Sequence, residues 1–146
     1  APGLRRVCQD PVVLHYGHHS ARRQFLCLWG VATVLKLAIA AHLPLFVDEA
    51  FYWQEGRHLA LAYSDLPGLT AWLARLGVAI GGEHVLALRA PFLLIGASLP
   101  WLMARVSGRW FGETVGWQAG SLTALMPLSA TLGILALPDV PMALAA

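Results

Sequence analysis

Phe25 to Phe46 reads FLCLWGVATVLKLAIAAHLPLF. It carries one charged side chain, Lys36. A helix rises about 1.5 Å per residue, so a run of about 20 apolar residues crosses the ~30 Å hydrocarbon core of a bilayer. The stretch predicts a first transmembrane span over about 25–46. Lys36 near its middle is costly in lipid unless it faces protein or water, so the span belongs to a bundle. An anion or phosphate contact is the functional reading of that lysine. Upstream, residues 1–24 read as a polar, solvated tail with Arg5, Arg6, Arg22 and Arg23. Basic residues flanking a span stay in the cytoplasm, which places the N-terminus there. His15, His18 and His19 in the tail have no partner ligand at a defined spacing.

The whole composition agrees. Of the 146 residues, 58% are hydrophobic and 12% charged, and mean hydropathy is +0.61. Soluble domains carry about 25% charged residues, so lipid is the expected solvent. A net charge of +2 without basic clusters excludes a nucleic-acid partner. Cys8 and Cys27 do not make a disulfide framework. A second span is predicted over about 86–106, holding Arg89, Pro91 and Pro100, with Arg105 and Arg109 at its cytoplasmic end. A third follows over about 115–137, with Gly116, Gly120, Ser121, Thr123 and Ser129 as small residues for close packing. A fourth starts at Met142. The fold class is therefore all-α: a polytopic transmembrane helical bundle, with 25–146 the N-terminal part of a membrane domain in a longer protein.

Between the first two spans the chain is mixed in polarity, and acids outnumber bases. Asp48–Ala62 reads as a short helix, Pro67-Gly68 as a turn, and Leu69–Ile80 as a second short helix along the membrane interface, ended by Gly81-Gly82. Alternation of the spans puts Asp48, Glu49, Asp65 and Asp139 on the same, outer side. The adjacent carboxylates in Asp48-Glu49-Ala50-Phe51-Tyr52-Trp53 are the sharpest local feature. Asp48, Tyr52 and Glu55 share one helical face, and Glu49 points about 100° away. A carboxylate partly desolvated at the lipid boundary gains strength as a base. Tyr52 and Trp53 offer flat faces for a sugar ring, though the same residues furnish ordinary interfacial belts. Asp65 also suits a turn, and Asp139 a helix start in Pro138-Asp139-Val140-Pro141.

Three patches resemble the protein O-mannosyltransferase superfamily of membrane glycosyltransferases, which includes the lipid A aminoarabinose transferases. Pro44 through Trp53 is similar to the family's Asp-Glu-Ala-Tyr-Tyr-Trp signature. Tyr63-Ser64-Asp65-Leu66-Pro67-Gly68-Leu69-Thr70-Ala71-Trp72 is similar to Tyr-Phe-Asp-His-Pro-Pro-Leu-x-x-Trp, and Leu137 through Pro141 to Thr-Pro-Asp-x-Pro. Arg89-Ala90-Pro91 looks like the family's Arg-x-Pro. The resemblance implies an inverting transferase with a polyprenyl-phosphate-linked sugar as donor and a lipid A, envelope-glycan or protein acceptor. It further implies a bacterial inner-membrane protein with its active site facing outward. It makes Asp48 the general base, with Glu49 beside it in the catalytic pair. Tyr52, Trp53, Asp65, Asp139, Arg89 and Lys36 become substrate contacts, and Asp65 a ligand for a divalent metal. Leu66 replaces the family's His and Gly68 its second Pro, which removes an imidazole from that corner. The competing reading is a non-enzymatic transporter or scaffold subunit, since intramembrane Lys36 and Arg89 with proline-broken helices also suit a permeation path. The enzyme reading requires Asp48 to face a groove able to hold a prenyl phosphate.

Overall fold

The computed structural model describes residues 11–146 except 59, 62, 64–67, 132 and 146, and only the backbone of 11–19, 130, 144 and 145. Among the described residues seven helices follow one another: α1 (Pro11–His42), α2 (Val47–Gly56), α3 (Leu69–Gly81), α4 (Val85–Phe111), α5 (Glu113–Leu125), α6 (Pro127–Thr131) and α7 (Asp139–Ala145). The fold is all-α, with no strand among the described residues. Among the described residues two stretches, Ser20–His42 and Val85–Phe111, are long and apolar enough to cross a membrane.

Helix α1 begins earlier than the apolar pattern suggests. Pro11 opens it, which suits a first helical position because its missing N–H would be unpaired there anyway. Helical backbone therefore runs through much of the segment read as a tail, and Ala21 and Phe25 are already buried. Pro44 stops α1. It has no N–H to give the Ala40 carbonyl, and it disfavours helical geometry at Leu43.

The stretch read as a third span is interrupted. Helix α5 ends at Leu125, Met126 is extended (φ −62°, ψ 134°), and α6 restarts at Pro127. The cause is local: a proline pushes the residue before it out of the helical region. Lys36 ties this break to α1, its Nζ donating to the buried Ser129 carbonyl.

Small residues set the helix spacing. A Cβ on Gly116 would lie 2.5 Å from the Ala104 carbonyl, and one on Gly120 would lie 2.8 Å from both Ala104 Cβ and a Phe25 ring carbon. Thus α4 and α5 touch backbone to backbone, the packing that small-residue stripes permit in lipid. Beside this seam, Phe25 and Trp117 meet Trp101 at ring-centroid separations of 5.1 and 5.9 Å. Trp29 Nε1 donates to the Ala97 carbonyl at 2.8 Å.

At the other end of the bundle, α2 and α3 fold over the start of α4. Ala74, Leu88, Phe92, Ala136 and Val140 form a buried cluster there, with Trp53, Leu73, Val78 and Ile95 packed against it. Helix α3 matches its predicted limits to one residue, and Gly82 closes it at φ 90°, a conformation open to glycine. Helix α2 stops at Gly56, short of the predicted Ala62. Gly56 abuts the Ala71 carbonyl of α3, leaving no room for a side chain. Beyond it the Tyr63 hydroxyl replaces helical bonding, donating towards the Glu55 and His58 carbonyls (3.0 and 2.7 Å) and accepting from Ala60 N–H.

Candidate functional site

The end of α1, the start of α2, the start of α4 and the segment before α7 meet at one buried ion pair. Glu49 and Arg89 are both fully buried. The Arg89 fork grips the carboxylate, Nε to Oε1 at 2.7 Å and Nη2 to Oε2. Its other donors reach carbonyls: Nη1 to Ala40 at 2.6 Å and Leu43 at 2.9 Å, and Nη2 to Pro44 at 2.9 Å. A guanidinium has five N–H donors, and all five are used. The Ala40 carbonyl is the one Pro44 leaves without a helical partner, so Arg89 caps a break written into the sequence beside it.

The carboxylate is equally complete. Oε1 also accepts from Ala136 N–H at 2.9 Å and Oε2 from Phe46 N–H at 3.1 Å. The Phe46 bond ties the third residue of α2 back to the residue that starts the helix, one half of a capping box. Burial alone would raise the Glu49 carboxyl above the ordinary glutamate range. The Arg89 hydrogen bonds, the two backbone N–H groups and the guanidinium charge overcome it and hold the group below that range. Glu49 is thus a fixed anion with four filled acceptor positions.

This geometry divides the acid pair. The four acceptor positions of Glu49 and the five donors of Arg89 are all engaged within the fold. Asp48, one residue earlier, is exposed on the first turn of α2 and makes no hydrogen bond or ion pair among the described residues. It is not among the residues that line the three cavities along α3 and between α1 and α5.

The other expected residues scatter. Tyr52 is buried, with 6% of its surface exposed, whereas Asp48, four residues before it, is exposed. Trp53 is half-buried against the cluster under the ion pair. Lys36 lies buried in α1 and gives a proton donor to Ser129 rather than standing open to a ligand. Asp139 opens α7 and is exposed. The Glu49–Ala136 bond brings its segment against α2, so the Asp48-Glu49 and Leu137-Pro138-Asp139 patches do meet at one end of the bundle. Asp65, and with it the expected metal ligand, lies outside the described residues. Among the described residues no three His, Cys, Asp or Glu side chains gather as a metal site.

Some organising residues carry no sequence signal of their role. Trp72 Nε1 donates to the Ala60 carbonyl at 2.9 Å, and with Tyr63 it staples the α2–α3 loop. Both are aromatic positions of the second family-like patch, which therefore records a loop geometry as much as a chemistry. Arg57 and Arg75 flank a cavity between α2 and α3.

The end of one apolar helix and the start of the other thus meet at the Glu49–Arg89 pair. The sequence model of the dolichyl-phosphate-mannose–protein mannosyltransferase family matches residues 65–146, more than half of the chain, and the chain belongs to that family. No curated protein and no solved structure matches it.

Proposed function

We propose that this chain is part of an inverting glycosyltransferase that moves a sugar from a polyprenyl phosphate to an acceptor hydroxyl at the outer face of a bacterial inner membrane. The acceptor is lipid A, another envelope glycan or protein. Asp48 is the general base. It takes the acceptor O–H proton as that oxygen attacks the anomeric carbon. The carbon–oxygen bond to phosphate breaks, and the polyprenyl phosphate leaves with the electron pair. The observation that carries this reading is the Glu49 carboxylate accepting from Ala136 N–H. It fixes α2 against the Leu137-Pro138-Asp139 patch and leaves Asp48 as the unengaged acid of the pair. Walls for the donor come from outside the described residues, and Asp139 and Asp65 position substrate from the same side.

The test supplies the full-length protein, in detergent, with either a polyprenyl-phosphate sugar or the matching nucleotide sugar. Transfer from the lipid-linked donor alone is expected. Transfer from the nucleotide sugar with the lipid-linked donor inert would overturn the reading.

A further inference from the structure

Helix α3 is built inside out for a soluble protein. Its buried positions are small or polar, namely Thr70, Ala71, Ala74 and Gly77. Its large apolar side chains, Leu69, Trp72, Leu76 and Ile80, are 40–80% exposed. Their spacing puts them on one stripe of the helix. On α4, Leu94 and Leu102 add to this exposed apolar belt. Lipid is the solvent that covers such a belt.

Two cavities adjoin along α3. One, of about 440 Å³, is apolar and lined by Leu61, Trp72 and Leu76; the other, of about 280 Å³, is lined by Trp53, Arg57 and Glu83. Arg75 and Ala79 belong to both. A cationic end thus adjoins an open apolar groove. Among the described residues Arg75 makes one hydrogen bond, from Nη1 to the Gly56 carbonyl at 3.4 Å. Arg57 meets Glu83 at 3.9 Å, both side chains being more than half exposed, so that pair is weak and exchangeable.

We propose that this groove seats an anionic phospholipid of the bilayer, its phosphate between Arg57 and Arg75 and an acyl chain along Trp72 and Leu76. Guanidinium forks suit phosphate oxygens, and the apolar groove suits hydrocarbon. The donor lipid is the wrong occupant. Arg57, the residue just past α2, lies nine positions beyond Asp48, about 13 Å along the axis, whereas the donor phosphate is bonded to the carbon that the base-activated oxygen attacks. The binding of an anionic lipid rests on the membrane placement of the chain; only the exclusion of the donor lipid rests on Asp48 as base.

The test titrates the full-length protein in detergent with dioctanoyl phosphatidylglycerol, dioctanoyl phosphatidylcholine and inorganic phosphate, reading bound molecules by native mass spectrometry. Phosphatidylglycerol should bind roughly tenfold tighter than phosphatidylcholine. The preference should vanish in Arg57→Gln/Arg75→Gln and strengthen in Glu83→Gln, which removes the competing carboxylate. Asp48→Asn should keep the preference even where it abolishes transfer, which separates failure of this inference from failure of the catalytic one. Equal binding of the two lipids, a preference that survives loss of both arginines, or inorganic phosphate displacing the lipid at equal concentration would each overturn it.

Discussion

Glu49 and Arg89 complete each other: the carboxylate's four acceptor positions and the guanidinium's five donors are all occupied in one dry contact. The pair joins three stretches remote in sequence, around residues 40–49, Arg89 and Ala136, at the end of the bundle where the candidate chemistry is proposed.

Truncating either partner leaves a buried charge alone, which costs about 3–5 kcal/mol. Arg89→Ala and Glu49→Ala should each lower stability by that order, and the double variant by much less than the sum of the two. Arg89→Lys should behave more like Ala than like a conservative change, since an ammonium cannot span both oxygens and three carbonyls. Denaturant unfolding of the full-length protein in detergent checks all of these.

The lowered Glu49 carboxyl predicts an acid limb of stability. Its folded value lies below the ordinary 4.5. The stabilisation is therefore fully present above that pH and lost as pH falls through the depressed folded value. Melting temperature followed from neutral to acid pH should show this loss. Glu49→Gln should be less stable at neutral pH and show a flatter acid limb.

Pro91 gives no N–H to the Ala87 carbonyl four residues before it, and α3 covers that oxygen with Gly77. A Cβ at position 77 would sit 2.1 Å from it and 2.9 Å from the proline ring. Gly77→Ala should thus destabilise despite alanine's better helix propensity, by about 1–3 kcal/mol as overpacking does. Thermal unfolding against an exposed control, Gln54→Ala, measures it.

Tyr63→Phe should loosen the loop after α2, because one hydroxyl serves two carbonyls and one N–H there. Amide hydrogen exchange over 57–63 should speed up while α4 keeps its protection. Equal protection in the two proteins would mean that the hydroxyl does not hold the loop.

Much of this fold is legible in the sequence because it depends on local rules. The limits of α3, the Gly82 stop, the long apolar α4 and the small residues of the α4–α5 seam follow from periodicity, glycine conformation and side-chain size. The break at Met126 was also written locally, in Pro127, but an uninterrupted apolar composition masks it. What the sequence could not divide is the Asp48-Glu49 pair. The partners that settle Glu49 lie 40 and 87 residues away, and no spacing rule reaches that far. The burial of Tyr52 is hidden for a related reason: an i, i+4 relation to Asp48 does not tell which of the two residues the protein covers. Asp48 itself remains legible only as an acid left exposed.

The central claim is this division of labour, and one paired measurement tests it: transfer rate and melting temperature of the full-length Asp48→Asn and Glu49→Gln variants, side by side. Asp48→Asn should lose transfer by about 10²-fold or more, the scale of a lost general base, with its melting temperature unchanged. Glu49→Gln should melt markedly lower. Undiminished transfer by Asp48→Asn, or a Glu49→Gln protein that melts like the wild type, would contradict the account.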